Sequence, residues 1–440
     1  MMKKLTLVLA VLMVLLAFVG CGPTGTEEGN DNTVDFAFDT ESFQGKELTL
    51  WANWEESDSA GDVALFEEKT GADIKWEMIP YGTSSDGSDY YGKISTAIVS
   101  GTGPDATFLW QFAVPTWTQK GLVLPWTDVI DLTAEPFAGK LNQAVVDYYT
   151  YNGQPYGIIN TSEMNIYWIY YDKQIFSDSG LEDPYTLFRE GKWTWEKFQE
   201  LAEQLTYDSD QDGNVDKYGW GGYDADGWIA SNGTNYVDFD ENGAPRFALA
   251  DAPGIAALEK TREVFGTVKA YSEIGEPDEN NFISGKVAMY YEGTWSVKLL
   301  KEAKGDNLGV VPMPMGPNFD PAKVTAVEAN AVPMFICNTC DEKELLAHYV
   351  TYLYTDKGSE EKRRKENIEE NWGGDEEMYN FFQELKQYSW IPNDISFGRL
   401  NKLLSLKVMW NYEETPTSTV QAIFNQAQGE IDDVFNGTAE

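Results

Sequence analysis

The chain has 440 residues, 42% hydrophobic and 24% charged, a globular balance in a length suited to two or three domains. Its 72 Asp and Glu against 32 Lys and Arg give a net charge of −40, so no chain-wide basic field exists to release counterions from DNA or RNA. A single histidine, His348, makes histidine-based triads and zinc sites improbable, whereas 15 Trp, 24 Tyr and 22 Phe offer flat faces to polar, uncharged ligands, of which carbohydrate is the obvious class. No Gly-Lys pair is followed by Ser or Thr, and no G-x-S-x-G occurs, which removes the phosphate-cradling loop and the nucleophile elbow.

At the N-terminus, Lys3 and Lys4 precede an apolar run, Leu5 to Val19, and then Gly20-Cys21-Gly22. This is the pattern of a secretory signal over residues 1–20, too short to cross a bilayer comfortably. Cysteine directly after a small residue resembles a bacterial lipobox, in which Cys21 receives diacylglycerol and becomes the mature N-terminus. Phe18, where such boxes carry Leu, departs from the pattern, and a plain secretory signal is the alternative. Residues 21–45 read as a flexible tether of roughly 25–30 Å average span. With Cys21 lipidated, Cys337 and Cys340 remain as an even pair, expected to form a disulfide in an oxidising compartment, with a reactive thiol as the rival.

The body begins with alternating strand and helix. Glu47–Ala52, Asp73–Ile79 and Ala106–Trp110 read as strands, separated by helices over Asp62–Thr70 and Tyr91–Ser100 that stop at Gly71 and Gly101. Two such repeats argue an α/β fold with a parallel sheet whose ligand lies beyond the carboxyl ends of the strands. Past Tyr151 come two β-rich segments, Gln154–Asn160 and Asn165–Tyr171, and a helix over Thr194–Leu205 with Thr194 as its N-cap. Ile255–Phe265 is helical, Val287–Tyr291 and Ala331–Ile336 are strands, and Glu344–Tyr354 is a helix on which His348 reads as a packing residue. Glu360–Glu370 reads as a solvated helix face.

One loop carries a metal-ligating pattern. Asp208, Asp210, Asp212 and Asp216 stand at positions 1, 3, 5 and 9 of an EF-hand-like calcium loop, with Gly213 at 6, Asn214 supplying its carbonyl at 7, and Val215 at 8. Position 12 is Gly219 instead of a bidentate Glu, so a cation needs an oxygen from elsewhere, such as Asp224 or Asp226. An Asp/Gly/Asn-rich turn without metal is the competing reading.

The segments ELTLW (47–51), FEEKTGADIKWE (66–77), SGTGPDATFLW (100–110), YNGQPYGI (151–158), IYYDKQIF (169–176), WTWEKFQELAEQLT (193–206), FISGKVAMYYEGTW (282–295) and VPMPMGP (311–317) together resemble, in order and spacing, a known family. It is that of the extracellular solute-binding proteins of bacterial sugar ABC transporters, of the maltose-binding-protein-like type. The resemblance covers nearly the whole chain to about residue 430. It implies a two-lobed clamp of the type II periplasmic-binding-protein kind, monomeric, with no catalytic residues and no required cofactor. Lobe 1 is then 46–155 plus 328–358 and lobe 2 is 160–322 plus 362–440, with hinge strands around 155–165 and 322–330. It further implies a lipid-anchored receptor on the outer face of the cell membrane, in a Gram-positive bacterium, handing its sugar to ABC permease subunits. Of the site residues, Trp295 is expected to stack on a sugar ring, Glu55 and Gln111 to accept or donate to hydroxyls, and Asn165 to face the cleft near the hinge. Trp54 and Trp110 occupy the rim of lobe 1 and compete with a core role. Trp228 and Trp372 are candidates that serve equally well as packed loop anchors, and Glu328 lies on the second crossover.

A secreted glycoside hydrolase would share the acidity and the aromatics, since it needs only two carboxylates. A receptor for a peptide, a polyamine or another solute would share the fold.

Overall fold

The structure is a computed structural model that describes residues 43–55, 60–80, 88–109, 114–138, 140–141, 145–146, 149–159, 165–222, 225–239, 245–266, 279–319, 327–330, 332–354, 360–386, 389–390 and 419–435. The signal, Cys21, nearly all of the tether, Trp110, Gln111 and Asp224 lie outside the described residues, as does the side chain of Glu328.

In chain order the strands are β1 (Glu47–Ala52), β2 (Asp73–Met78), β3 (Ala106–Phe108), β4 (Val123–Leu124), β5 (Thr150–Tyr151), β6 (Gln154–Pro155), β7 (Asn165–Asp172), β8 (Val237–Phe239), β9 (Pro245–Phe247), β10 (Met289–Gly293), β11 (Leu308–Val311), β12 (Val327–Asn330), β13 (Met334–Cys337) and β14 (Ser389–Trp390). They form two principal sheets. The first runs β2-β1-β3-β13-β4, with β1 parallel to β2 and β3, and β13 antiparallel to β3 and β4. The helices Ala60–Thr70 and Ser88–Val99 link the parallel strands, and the chain turns out of them at Gly71 and Gly101, whose φ of +70° and +74° suit glycine.

Period-2 alternation explains how this sheet is held. Leu48 and Leu50 of β1 join Ile74, Ala106, Met334 and Ile336 in one core, while Phe335 and Cys337 of β13 join Leu109, Val123 and Tyr149 in the other. The β-rich segment expected over Gln154–Asn160 is much shorter than its composition suggests. Only Gln154 and Pro155 form a strand, in a two-residue hairpin with β5, and Ile158 makes an isolated bridge to Met334. The strand expected from Ala331 starts instead at Met334, after Pro333, which has no N–H to give a ladder.

The second sheet is built around β7. Strand β10 pairs along one edge of β7, and β11 and β12 share the other edge, all antiparallel; β14 extends the sheet in parallel with β12. Both faces of β7 are covered. Ile169 and Tyr171 enter one core, with Tyr167 packed against it, and Ile166, Trp168 and Tyr170 enter the opposite one. The helix Trp195–Gln204 presents Trp195, Phe198, Leu201 and Ala202 to the first of these cores, and Thr194 caps it by accepting from the Lys197 N–H at 3.4 Å.

Three stretches of chain pass between the sheets, from β4 to β7, from β12 to β13 and from β13 to β14. The pairs Ile158–Met334 on the first sheet and Asn165–Asn330 on the second bracket the first two, which therefore leave and enter side by side. Helix Lys343–Tyr354 packs into a core of the first sheet, whereas helices Glu360–Asn371, Glu376–Lys386 and Val420–Phe435 pack into cores of the second.

Candidate ligand-binding site

The decisive side chains sit at the ends of β1 and β10. Just beyond β1, Trp54 is half-buried, its ring 4.7 Å from Phe108 and 6.1 Å from Trp76, and its backbone carbonyl accepts the Trp76 indole N–H at 3.0 Å. Trp54 thus anchors an aromatic group at the carboxyl rim of the parallel strands, as the α/β topology leads one to expect. Glu55 follows it and is exposed. Among the described residues, Asn53, just past the strand, carries a buried Oδ1 with no hydrogen-bond partner, and Trp51, within β1, a buried Nε1 in the same condition. Sequence reading missed both; the signal available was their place at the carboxyl end of a buried strand.

On the second sheet, β10 ends at Gly293 and runs into a 3-10 turn, Thr294–Ser296, which displays Trp295 with 48% of its surface exposed. Among the described residues Trp295 is the one exposed tryptophan. Thr294 beside it donates its hydroxyl to Asn165 Oδ1 at 2.8 Å and accepts from the Ile166 N–H at 3.3 Å. Trp295 is therefore one residue removed from the strand that receives the interlobe passage. Its ring meets Tyr167 edge-on, with centroids 5.1 Å apart and planes at 87°.

Two predicted contacts belong to cores instead. Trp228 is 0% exposed and packs against Trp195, Phe198 and Trp220. Trp372 is 5% exposed and packs on Phe382 and Trp168 across the opposite face of β7. Each is enclosed by aromatic neighbours in a core, Trp228 on the short helix Asp226–Ser231 and Trp372 just past the helix Glu360–Asn371. The backbone of Glu328 pairs with Trp390 in β14.

The disulfide expectation is also corrected: Cys337 and Cys340 are both free and buried. Cys337, the last residue of β13, packs in one core of the first sheet, and Cys340, in the turn beyond it, packs in the other. Burial, with the nearby Asp105 carboxylate, pushes the Cys340 thiol up to about 12, and burial raises Cys337 as well. His348 is a packed helix residue against Phe43, with Nδ1 2.8 Å from the Glu344 carbonyl.

In the acidic loop, Asp208, Asp210 and Asp212 bring one carboxylate oxygen each within 4.8 Å of one another. The Asp208 carboxyl lies below its usual range because the Gly213, Gln211 and Asp212 N–H groups donate to it. Asp216 is turned to the N–H and hydroxyl of Ser209, and Asp226, a suggested extra ligand, is buried against the Tyr236 hydroxyl. The missing twelfth-position acid has a steric cause. A Cβ on Gly219 would lie 2.1 Å from the Ala202 carbonyl oxygen of the packed helix.

A family model described as bacterial extracellular solute-binding protein matches residues 49–360. The chain belongs to this family. No curated protein matches it. Solved structures resemble this solute-binding protein over almost its entire described body. An ABC substrate-binding protein of Listeria monocytogenes in complex with cycloalternan has 18% identity and a TM-score of 0.68, over 89% of this chain and 99% of that one. A maltose/maltodextrin-binding domain of Bdellovibrio bacteriovorus bound to maltotriose has 15% identity and a TM-score of 0.66, over 89% and 100%. A protein of Mycobacterium tuberculosis in complex with glycerophosphocholine has 16% identity and a TM-score of 0.66, over 89% and 98%. The solute-binding protein accordingly has the two-lobed α/β clamp of type II periplasmic binding proteins.

Proposed function

We propose that this solute-binding protein captures a carbohydrate, specifically an oligosaccharide, between its lobes and delivers it unchanged to the permease of an ABC importer. The observation that carries the reading is Trp295, an indole with about half its surface exposed, standing one residue from the interlobe strand. Sugars present C–H faces that such a ring covers and hydroxyl rims that Glu55, Asn53 and Asn165 are chemically suited to bind. Trp54, with Trp110 and Gln111, which follow β3 in the sequence, supplies lobe-1 contacts in this reading. Contacts to both lobes exist together only in a closed form, and that differential affinity drives closure. No covalent step is needed, which accords with a chain holding one histidine, and that one packed on a helix. Two of the similar structures hold cycloalternan and maltotriose, which supports the substrate class.

A thermal-shift panel of oligosaccharides, peptides, polyamines and glycerophosphocholine tests this, because a ligand that binds only the native state raises its melting temperature. The expected result is a shift from oligosaccharides alone, with the sugar recovered intact. A shift from another class alone would replace the substrate, and cleaved sugar would make the protein a hydrolase.

Two further features belong to the same reading. Lys3, Lys4, the apolar run and Gly20-Cys21 support a monomeric receptor anchored through lipid on Cys21 at the outer face of a Gram-positive membrane. Cys21→Ala releases it from membranes on this account; retention after a salt wash would end the anchor. The Asp208, Asp210 and Asp212 carboxylates, with Asn214 and Asp216, are proposed to hold a structural calcium ion away from the sugar.

A further inference from the structure

Among the described tryptophans Trp295 is the exposed one, and an unrestrained exposed indole loses rotamer freedom when a ligand stacks on it, which weakens binding. Here the ring is fixed in advance from two directions. A Cβ built on Gly293 would fall 2.2 Å from Trp295 Cη2 and Cζ3 and 2.5 Å from Cε3, so the six-membered half of the indole rests where a side chain would stand. Gly293 has φ −74° and ψ 161°, an extended conformation open to any residue. Glycine is required there for the close approach of the ring, and its backbone angles do not demand it. The second restraint is Tyr167, the register partner of Gly293 across the β7–β10 ladder, whose ring meets Trp295 edge-on at 87°.

Tyr167 is itself held. Its ring stacks on Tyr291 with centroids 5.5 Å apart and planes at 26°, and Tyr291, 4% exposed, lies 6.2 Å from Trp220 in the core. A continuous aromatic row thus runs from the buried core to the exposed indole, on the face of β7 that alternation assigns to odd-numbered residues.

We propose that Tyr167 and Gly293 are positioning residues that lock Trp295 in its stacking orientation before ligand arrives, leaving it a single open face. This rests on the reading of Trp295 as the sugar-stacking ring. One face means one sugar unit per indole, and pre-set geometry means that little of the binding free energy goes into ordering the ring.

The test uses the full-length folded protein carrying 5-fluorotryptophan, with the Trp295 fluorine resonance assigned by its loss in Trp295→Phe. The wild type is expected to give one narrow resonance that barely moves on adding maltotriose or whichever panel oligosaccharide binds. Tyr167→Leu and Gly293→Ala should broaden or split it without ligand, while Tyr167→Phe, which keeps the ring edge, should leave it narrow. In calorimetry with the same sugar, Tyr167→Leu and Gly293→Ala should bind about fivefold more weakly, with Tyr167→Phe close to wild type. An unchanged narrow resonance in both Tyr167→Leu and Gly293→Ala would overturn the proposal, as would equal disturbance by Tyr167→Phe. If Tyr167→Leu does not melt cooperatively, Gly293→Ala reads the same signal from the other side of the ring. Should no oligosaccharide bind the wild type, the stacking reading fails, yet the ligand-free resonance still decides whether the ring is locked.

Discussion

The Thr294 hydroxyl donates to Asn165 Oδ1 at 2.8 Å while accepting from the Ile166 N–H at 3.3 Å, so the turn that displays Trp295 is tied to the strand that receives the interlobe passage. Asn165 is also the register partner of Asn330 on the returning passage. The turn that carries Trp295 is thereby tied to the strand at which two of the interlobe passages meet. Thr294→Val keeps the shape and removes the bonds, leaving a buried N–H and an amide oxygen without their partner. Unfolding in urea should show a loss of about 1–3 kcal/mol, and sugar affinity should fall with it; an unchanged midpoint would mean the tie is incidental.

Tryptophans of identical chemistry should separate by location. Trp228→Ala and Trp372→Ala each empty a core on one face of β7. Losses of about 3–5 kcal/mol in stability are expected from each, with affinity of the molecules still folded changed less than about twofold. Paired melting and binding curves check this. A large affinity change in Trp228→Ala at preserved stability would return that residue to the site.

Much of this arrangement was legible in the chain itself. The strands β1 to β3 were readable because Leu48, Leu50 and Ile74 alternate with exposed positions and because Gly71 and Gly101 end the intervening helices. Trp54 was singled out because it follows a strand end, and Trp295 because the family resemblance points to it. Trp228 and Trp372 were misplaced because a tryptophan beside glycines looks the same in a packed loop and in a cleft. Only the two-sided burial of β7, with helices on each face, decides between them. Tyr167 escaped notice for a related reason: in IYWIYY (166–171) every residue is apolar or aromatic, and which ring reaches the edge depends on the register with β10. The cysteine pair misled because proximity in sequence does not show that each thiol is buried among different core neighbours.

The thiols give a direct chemical check. Burial raises both above the ordinary cysteine value, and Cys340 titrates at about 12, so neither is a thiolate at neutral pH. Protein lacking residues 1–21 should show almost no reaction with a thiol reagent at pH 7 while folded, and two thiols per chain after unfolding without reductant. No thiols in the unfolded, unreduced sample would restore the disulfide.

If the Asp208 loop holds calcium, a chelator should lower the melting temperature and added calcium should restore it. Asp210→Asn should abolish that response. Gly219→Glu should not strengthen binding, despite supplying the missing acid, because its Cβ collides with the Ala202 backbone; it should lower stability instead. A melting curve indifferent to chelator, with no metal by elemental analysis, leaves the loop as a turn closed by its own hydrogen bonds.

Isothermal calorimetry of wild type and Trp295→Ala, titrated with the oligosaccharide that most raises the melting temperature, bears most directly on the central claim. Removing a stacking indole from an otherwise intact fold should weaken binding at least tenfold, about 1.4 kcal/mol, while both proteins melt cooperatively. Affinity unchanged by Trp295→Ala would contradict the account and place the sugar elsewhere on the protein.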